Sequence, residues 1–180
     1  FSNEMGGYSE QAVKVLNQPD GIAWNIYDAQ RHNFLVNGFP DYCEAVGAGA
    51  IHCGADAAEL AKVTCLPELM LASTLAEVQA LASGVGSDVL GRDFSGVTPL
   101  KAPYYAVKVT GALFHTQGGL VIDNTARVHR ADGGTFMNLY ASGGAACGVS
   151  GPAVEGYLSG NGLLTAIAFG YLAGRNASMV

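Results

Sequence analysis

The residues best suited to chemistry lie between Gly143 and Leu164, in the stretch GGAACGVSGPAVEGYLSGNGLL, which opens into the apolar run TAIAFGYLAGR. Glycine at this density lets the backbone take positive φ or admit a close neighbour. A chain with neither use for it would lose conformational entropy for nothing. A flat cofactor is the natural guest. Asn161 and Gly162 stand where a helix should begin, with Leu163, Leu164, Ile167, Phe169, Leu172 and Ala173 as its expected buried body. The first amides of such a helix have no internal partners and sit at the positive end of its dipole, so an anion or a carbonyl oxygen is favoured there.

The composition sets the frame for that stretch. The chain has 180 residues, 49% of them apolar, and 25 glycines, enough for one sizeable core or two small lobes. With 9 basic against 15 acidic residues and a net charge of -6, the chain is not suited to nucleic acid and offers no polybasic membrane surface. A small uncharged or anionic guest fits the balance. Cys43, Cys53, Cys65 and Cys147 fall at no metal or redox spacing, so no metal is expected and buried free thiols in a reducing compartment are. The opening FSNEMGGYSE reads as neither signal peptide nor anchor, no apolar run is long enough to span a bilayer, and the expected location is cytoplasmic.

The elements that must position the glycine stretch follow from local signals. Ser9 is suited to cap a helix through about Leu16, and Gln18-Pro19-Asp20-Gly21 is turn chemistry. Ile22 to Tyr27 predicts a strand, after which Asp28 caps a helix carrying Arg31, Phe34 and Leu35. Asp56 and Pro67 mark two further helix starts, the second with Leu69, Leu75, Val78 and Leu81 near helical spacing. Residues 83–96 read as a loop. Beyond Pro99 the pattern turns to strands, at Tyr104 to Thr110, Leu120 to Asp123 and Leu139 to Ala141, with a turn at Asp132-Gly133-Gly134. The expected division is therefore a mainly helical lobe, 1–98, and a sheet lobe, 99–180. No GxGxxG follows a first strand, so a complete dinucleotide-binding unit is not encoded in these residues.

The run YYAVKVTGALFHTQGGLVID, followed by NLYASGGAACGVSG and YLSGNGLLTAIAFGYLAG, resembles the C-terminal part of the fumarate reductase and succinate dehydrogenase flavoprotein superfamily, which includes 3-ketosteroid dehydrogenases. The segments FSNE and AWNIYDAQR, with the helices after them, are similar to that family's mobile capping domain. The resemblance implies an α/β (α+β) fold: part of a Rossmann-like FAD-binding domain, 99–180, under a helical cap, 1–98, with the GxGxxG half supplied by a separate chain or fragment. It also implies FAD as cofactor and hydride transfer between flavin N5 and a C=C or CH-CH bond. By position, His115, Thr116, Gln117, Gly118 and Gly119 would line flavin and substrate. Ser142, Gly143 and Gly144 would approach the cofactor, and Asn161, Gly162 and Leu163 would hold its pyrimidine edge.

Departures from the family pattern narrow the substrate. Dicarboxylate reducers carry a histidine where this chain has Phe114, and a carboxylate-clamping arginine where it has Tyr157. Losing both argues against fumarate and succinate. The tyrosine looks closer to ketosteroid dehydrogenases, where a phenol polarises a substrate carbonyl without bringing charge. Gly144 stands where many members place a glutamate that binds the ribityl chain. Arg31 falls near the family's proton-donating cap arginine, although an i,i+3 ion pair with Asp28 explains the same spacing. His115 reads equally as acid or as core histidine, and Tyr157 as site residue or packing. His32, His52 and His129 have no partner spacing and read as surface residues. Two functions stand: an FAD-dependent oxidoreductase acting on a carbonyl-activated C=C bond, and a non-catalytic truncated or split subunit that completes a flavoprotein by docking.

Overall fold

The computed structural model describes residues 1–112 and 117–179. It divides into two compact units, Phe1–Gly111 and Ala112–Val180. Together they contain both helices and small sheets, a mixed α/β chain.

The first unit is built on a three-stranded antiparallel sheet. Strand β1 (Ile22–Asp28) pairs with β3 (Tyr104–Thr110), and β3 pairs in turn with β2 (Ile51–Gly54), so β3 is central. The alternating run at residues 104–110 therefore belongs to the first compact unit, which ends at Gly111. Helices α1 (Tyr8–Leu16), α2 (Ala29–Gly38), α3 (Pro40–Gly47), α4 (Ala57–Thr64) and α5 (Glu68–Ala82) complete the unit. Leu60, Ala61, Leu71 and Ala106 form the core, with Trp24, Ile26, Leu75 and Tyr104 packed against it. Gly54 lets β2 meet α4, since a Cβ there would lie 2.3 Å from the Leu60 amide nitrogen.

Caps explain where these helices start, and correct one expectation. Asp28 accepts from the amides of Gln30 and Arg31, and Asp56 from that of Glu59, as their sequence positions predict. Glu59 reaches back to the Ala55 amide, which adds a reciprocal bond at the same end. Helix α1 instead starts two residues early, after Gly7 and not after Ser9, and without a side-chain cap. On α5 it is Leu71 and Leu81 that are buried, whereas Leu69 lies in solvent.

His32 is not the isolated surface residue its spacing suggests. Its Nδ1 lies 2.7 Å from the Tyr42 hydroxyl, which lies 2.7 Å from that of Tyr27, and its ring stacks on Tyr105 at 4.0 Å. Burial and the Tyr42 hydrogen bond raise the Tyr27 pKa well above the usual phenol range. His52 likewise meets the Trp24 ring edge-on. The cysteines are free thiols, but Cys43, Cys53 and Cys65 are exposed and only Cys147 is half-buried, contrary to the expected burial.

In the second unit, β4 (Arg127–His129) pairs antiparallel with β5 (Thr135–Tyr140) across a bulge. The turn predicted at Asp132-Gly133-Gly134 joins them, with Gly133 at φ 90°. Leu120 to Asp123 is not a continuous strand and makes single bridges, Leu120 to Ala146 and Ile122 to Val128. Val128, Ala141 and Ala146 form a small core with Ile122 and Phe169 against it. Helix α6 runs from Asn161 to Ala177 and starts at the predicted residue. Its expected buried body is only partly so: Phe169 packs inward, while Leu163 and Ile167 are each 74% exposed. A two-stranded ribbon and one helix have too little surface of their own to cover that face. No helix among the described residues is long and apolar enough to cross a membrane.

Candidate functional site

The residues from Gln117 to Leu120 lie along the glycine stretch and are held there by main-chain bonds. The Leu120 amide donates to Ala145 O at 2.8 Å, the Cys147 amide to Leu120 O at 2.9 Å, and the Gly118 amide to Gly151 O at 3.0 Å. Such closeness requires Gly119. At φ 116° it adopts a backbone that L side chains rarely take, and a Cβ there would sit 2.7 Å from the Ala146 carbonyl carbon. The stretch in turn packs on the first turns of α6, where a Cβ on Gly148 would lie 2.9 Å from Thr165 Cγ2.

A small hollow opens where these three segments meet, with room for about one water-sized group (≈ 10 Å³). Gly118, Gly143, Gly148, Gly151 and Ala146 give it backbone walls, and Gln117, Ser150, Asn161 and Thr165 give it polar side chains. Ser150, Asn161 and Thr165 are all buried, with Asn161 only 5% exposed. Thr165 Oγ1 is satisfied by the carbonyl oxygens of Asn161 and Gly162, at 3.0 and 3.1 Å. Asn161 donates through Nδ2 to Ser150 Oγ, and Gln117 donates through Nε2 to Ala153 O at 2.7 Å. Each of those two amides has a buried oxygen left over: Gln117 Oε1 and Asn161 Oδ1 have no hydrogen-bond partner among the described residues. Two buried acceptors without donors beside a hollow of this size mark a place for one donor no larger than a water.

The start of α6 adds donors to the same end. Gly160 precedes the helix in the left-handed conformation, at φ 81°. The Asn161 amide is already bonded to Leu158 O at 3.2 Å, so among the three residues expected to present amides it is Gly162 and Leu163 that remain for a guest. Asn161 instead faces the hollow with its side chain.

Other expected site residues are placed as follows. Gln117, Gly118, Gly143 and Asn161 line the hollow together. Gly144 borders open space, with nothing within 4 Å of a would-be Cβ, and Ser142 precedes the tight turn Gly143–Ala145. Tyr157 follows the short turn Val154–Gly156 in the same unit and does not line the hollow. Phe114, His115 and Thr116 lie outside the described residues. Arg31 is in the first unit, on α2, with its guanidinium carbon 5.7 Å from the centre of the Phe34 ring. The ion pairs found among the described residues do not include Asp28 with Arg31, because Asp28 uses its carboxylate on backbone amides, Lys101 included. Ser150 and Thr165 were not singled out by sequence. The only signal for Thr165 is that it stands one helical turn beyond Asn161, and Ser150 has none.

Residues 20–163 match a family model described as FAD binding domain. The chain is 30% identical over 180 residues to the probable fumarate reductase Ifc3 of Shewanella frigidimarina (strain NCIMB 400), covering 99% of this chain and 29% of that protein. Among solved structures it is similar to the open conformation of a flavocytochrome c3 fumarate reductase, at TM-score 0.74 and 30% identity over 99% of this chain and 30% of that one. A 3-ketosteroid delta1-dehydrogenase from Sterolibacterium denitrificans shares the fold, at TM-score 0.71 and 24% identity over 100% of this chain and 37% of that one.

Proposed function

The chain belongs to the FAD binding domain family, within the flavoprotein superfamily of the fumarate reductases and ketosteroid dehydrogenases, with FAD as its cofactor; from that premise we propose that it forms the substrate-side part of an FAD-dependent oxidoreductase acting on a C=C or CH-CH bond next to a carbonyl. The observation that carries the reading is the pair of buried, unpartnered oxygens, Gln117 Oε1 and Asn161 Oδ1, at the glycine-walled start of α6. The hollow itself admits only a water-sized group, so a flat ring would lie outside it, against its glycine walls, with its polar edge toward the amides of Gly162 and Leu163. Gly118, Gly119, Ser142, Gly143, Asn161, Gly162 and Leu163 would hold it.

Bound FAD supplies the hydride chemistry, exchanging a hydride with one carbon of the substrate bond. The amides of Gly162 and Leu163, at the positive end of α6, would favour negative charge on a pyrimidine edge held there. Tyr157 donates its hydroxyl to the substrate carbonyl oxygen, and Arg31, carried over from its place in the chain alone, exchanges the proton on the other carbon. Phe114 and Tyr157, in place of a histidine and an arginine, support a neutral carbonyl compound over a dicarboxylate. The two relatives at 30% identity are named for fumarate, so the substrate is where this reading departs from them.

The chain spans 29% of the length of the probable fumarate reductase and 30% of the flavocytochrome. The remaining part of the FAD site, including a GxGxxG unit, is proposed to come from further protein, in the same polypeptide or another. A docking role without catalysis is the competing reading, and one experiment separates the two. The assembled protein should show flavin absorbance, reduce or oxidise an enone or ketosteroid, and leave fumarate untouched. Fumarate turnover at a comparable rate removes the substrate assignment. Bound flavin without any turnover favours docking.

A further inference from the structure

Tyr157 sits on a loop whose middle is tied to a distant part of its unit by the Gln117 side chain. The loop closes on itself at its base: a Cβ on Gly156 would collide with the Ser150 carbonyl oxygen, and Asn161 Nδ2 donates to Ser150 Oγ. Within it, the carbonyl oxygens of Ala153, Val154 and Leu158 accept from the nearby amides of Gly156, Tyr157 and Asn161. The Ala153 oxygen takes a second bond, from Gln117 Nε2 at 2.7 Å, across 36 residues of chain. Gly118 ties the loop only near its base, through its amide to Gly151 O. Ala153 O is therefore a node, with Gln117 on one side and, on the other, the amide of Gly156, the residue before Tyr157. The Gln117 amide has one orientation here, because a carbonyl only accepts and Nε2 is the end that donates. Its Oε1 is left buried without a partner among the described residues, so the side chain is committed to the loop.

Resting on the reading of Tyr157 as donor to the substrate carbonyl, we propose that Gln117 is a positioning residue for that hydroxyl, acting through Ala153 O and the turn Val154–Gly156. This role needs no contact between Gln117 and substrate or flavin. Placement of a donor matters most in the transition state, where a displacement of about 1 Å costs up to about a hundredfold in rate. Loss of the Gln117 bond therefore falls on kcat and leaves KM nearly unchanged.

The test is a double-mutant cycle in the assembled flavoprotein, with an enone as substrate. Gln117→Met keeps the side-chain volume and removes the donor, and it should lower kcat about tenfold or more with flavin content unchanged. In a Tyr157→Phe background the same substitution should cost less than about twofold, since the hydroxyl it positions is gone. A full additional loss there overturns the proposal. Gln117→Glu supplies a second readout, which decides the matter if Gln117→Met does not fold. As a carboxylate it cannot donate to Ala153 O, whereas the protonated acid can. Its kcat relative to the unsubstituted protein should rise as pH falls, to within about threefold, and a ratio independent of pH overturns the proposal. A wild-type rate in Tyr157→Phe alone would instead remove Tyr157 as donor, which separates failure of that reading from failure of this one.

Discussion

At single residues, the sharpest expectations concern one donor and two glycines. Replacing Tyr157 by phenylalanine keeps the ring and removes only the hydroxyl. If that hydroxyl meets developing charge on a substrate carbonyl, kcat should fall roughly ten- to a thousandfold with flavin content unchanged. Single-turnover flavin reduction or reoxidation measures this, and a wild-type rate would reduce Tyr157 to a packing residue. The glycines separate into two kinds. Gly119 combines a left-handed backbone with a would-be Cβ 2.7 Å from the Ala146 carbonyl carbon, so Gly119→Ala should cost more than about 2 kcal/mol and empty the hollow's wall. Gly144, with nothing within 4 Å, should accept alanine within about 0.5 kcal/mol. Chemical unfolding of the two variants reads the difference directly, and equal costs would contradict the packing described here.

Elements were legible in the sequence where a local rule decides them. Asp28 and Asp56 announced two helices because a carboxylate at the N-cap answers orphan amides, and residues 104–110 announced a strand by strict alternation. Helix α3 and strand β2 were not read. Neither has a side-chain cap or a long period, and β2 is held by its pairing with β3, a tertiary fact. The same limit hid the hollow: the glycines were visible, but Ser150 against Asn161 is a contact eleven residues apart with no motif. The loop after α5 shows what such contacts build. Asp88 is held at a pKa of about 2, chiefly by the hydrogen bond from Arg92, and it also accepts from the amides of Leu90 and Arg92. Arg92 reaches Glu4 at 3.5 Å, and Asn3 donates to Gly91 O at 2.9 Å, so the loop is latched to the residues before α1. Because the folded carboxyl titrates below its unfolded value, its contribution is complete above about pH 4 and is lost as pH falls through about 2. Limited proteolysis with an acid-active protease should find the loop opening over that window. Asp88→Asn should be cut at a rate nearly independent of pH there, and an unchanged acid profile in that variant would show that another group governs the latch.

For the molecule as a whole, the decisive feature is what the second unit leaves uncovered. Leu163, Leu164, Ile167 and Tyr171 follow one another along a single face of α6 at 74, 62, 74 and 67% exposure. A contiguous apolar row of this kind is a contact surface or a solubility liability. The chain spans 29% of the length of a fumarate reductase relative, and the proposed function places the rest of the FAD site in further protein. If that protein covers this face, each large side chain buried there contributes about 1.5–3 kcal/mol to the assembly. Ile167→Lys should then act in opposite directions on two measurements. The 180-residue chain by itself should become more soluble and less self-associated in sedimentation. Its affinity for the remainder of the flavoprotein should fall by about a hundredfold, with flavin lost in parallel. Asn161, Thr165 and the hollow lie on the opposite, buried side of the same turns, so the local structure of the site is not the cause of that loss. An Ile167→Lys chain that assembles and holds flavin as the unsubstituted chain does would mean that this face of α6 remains in water in the finished protein.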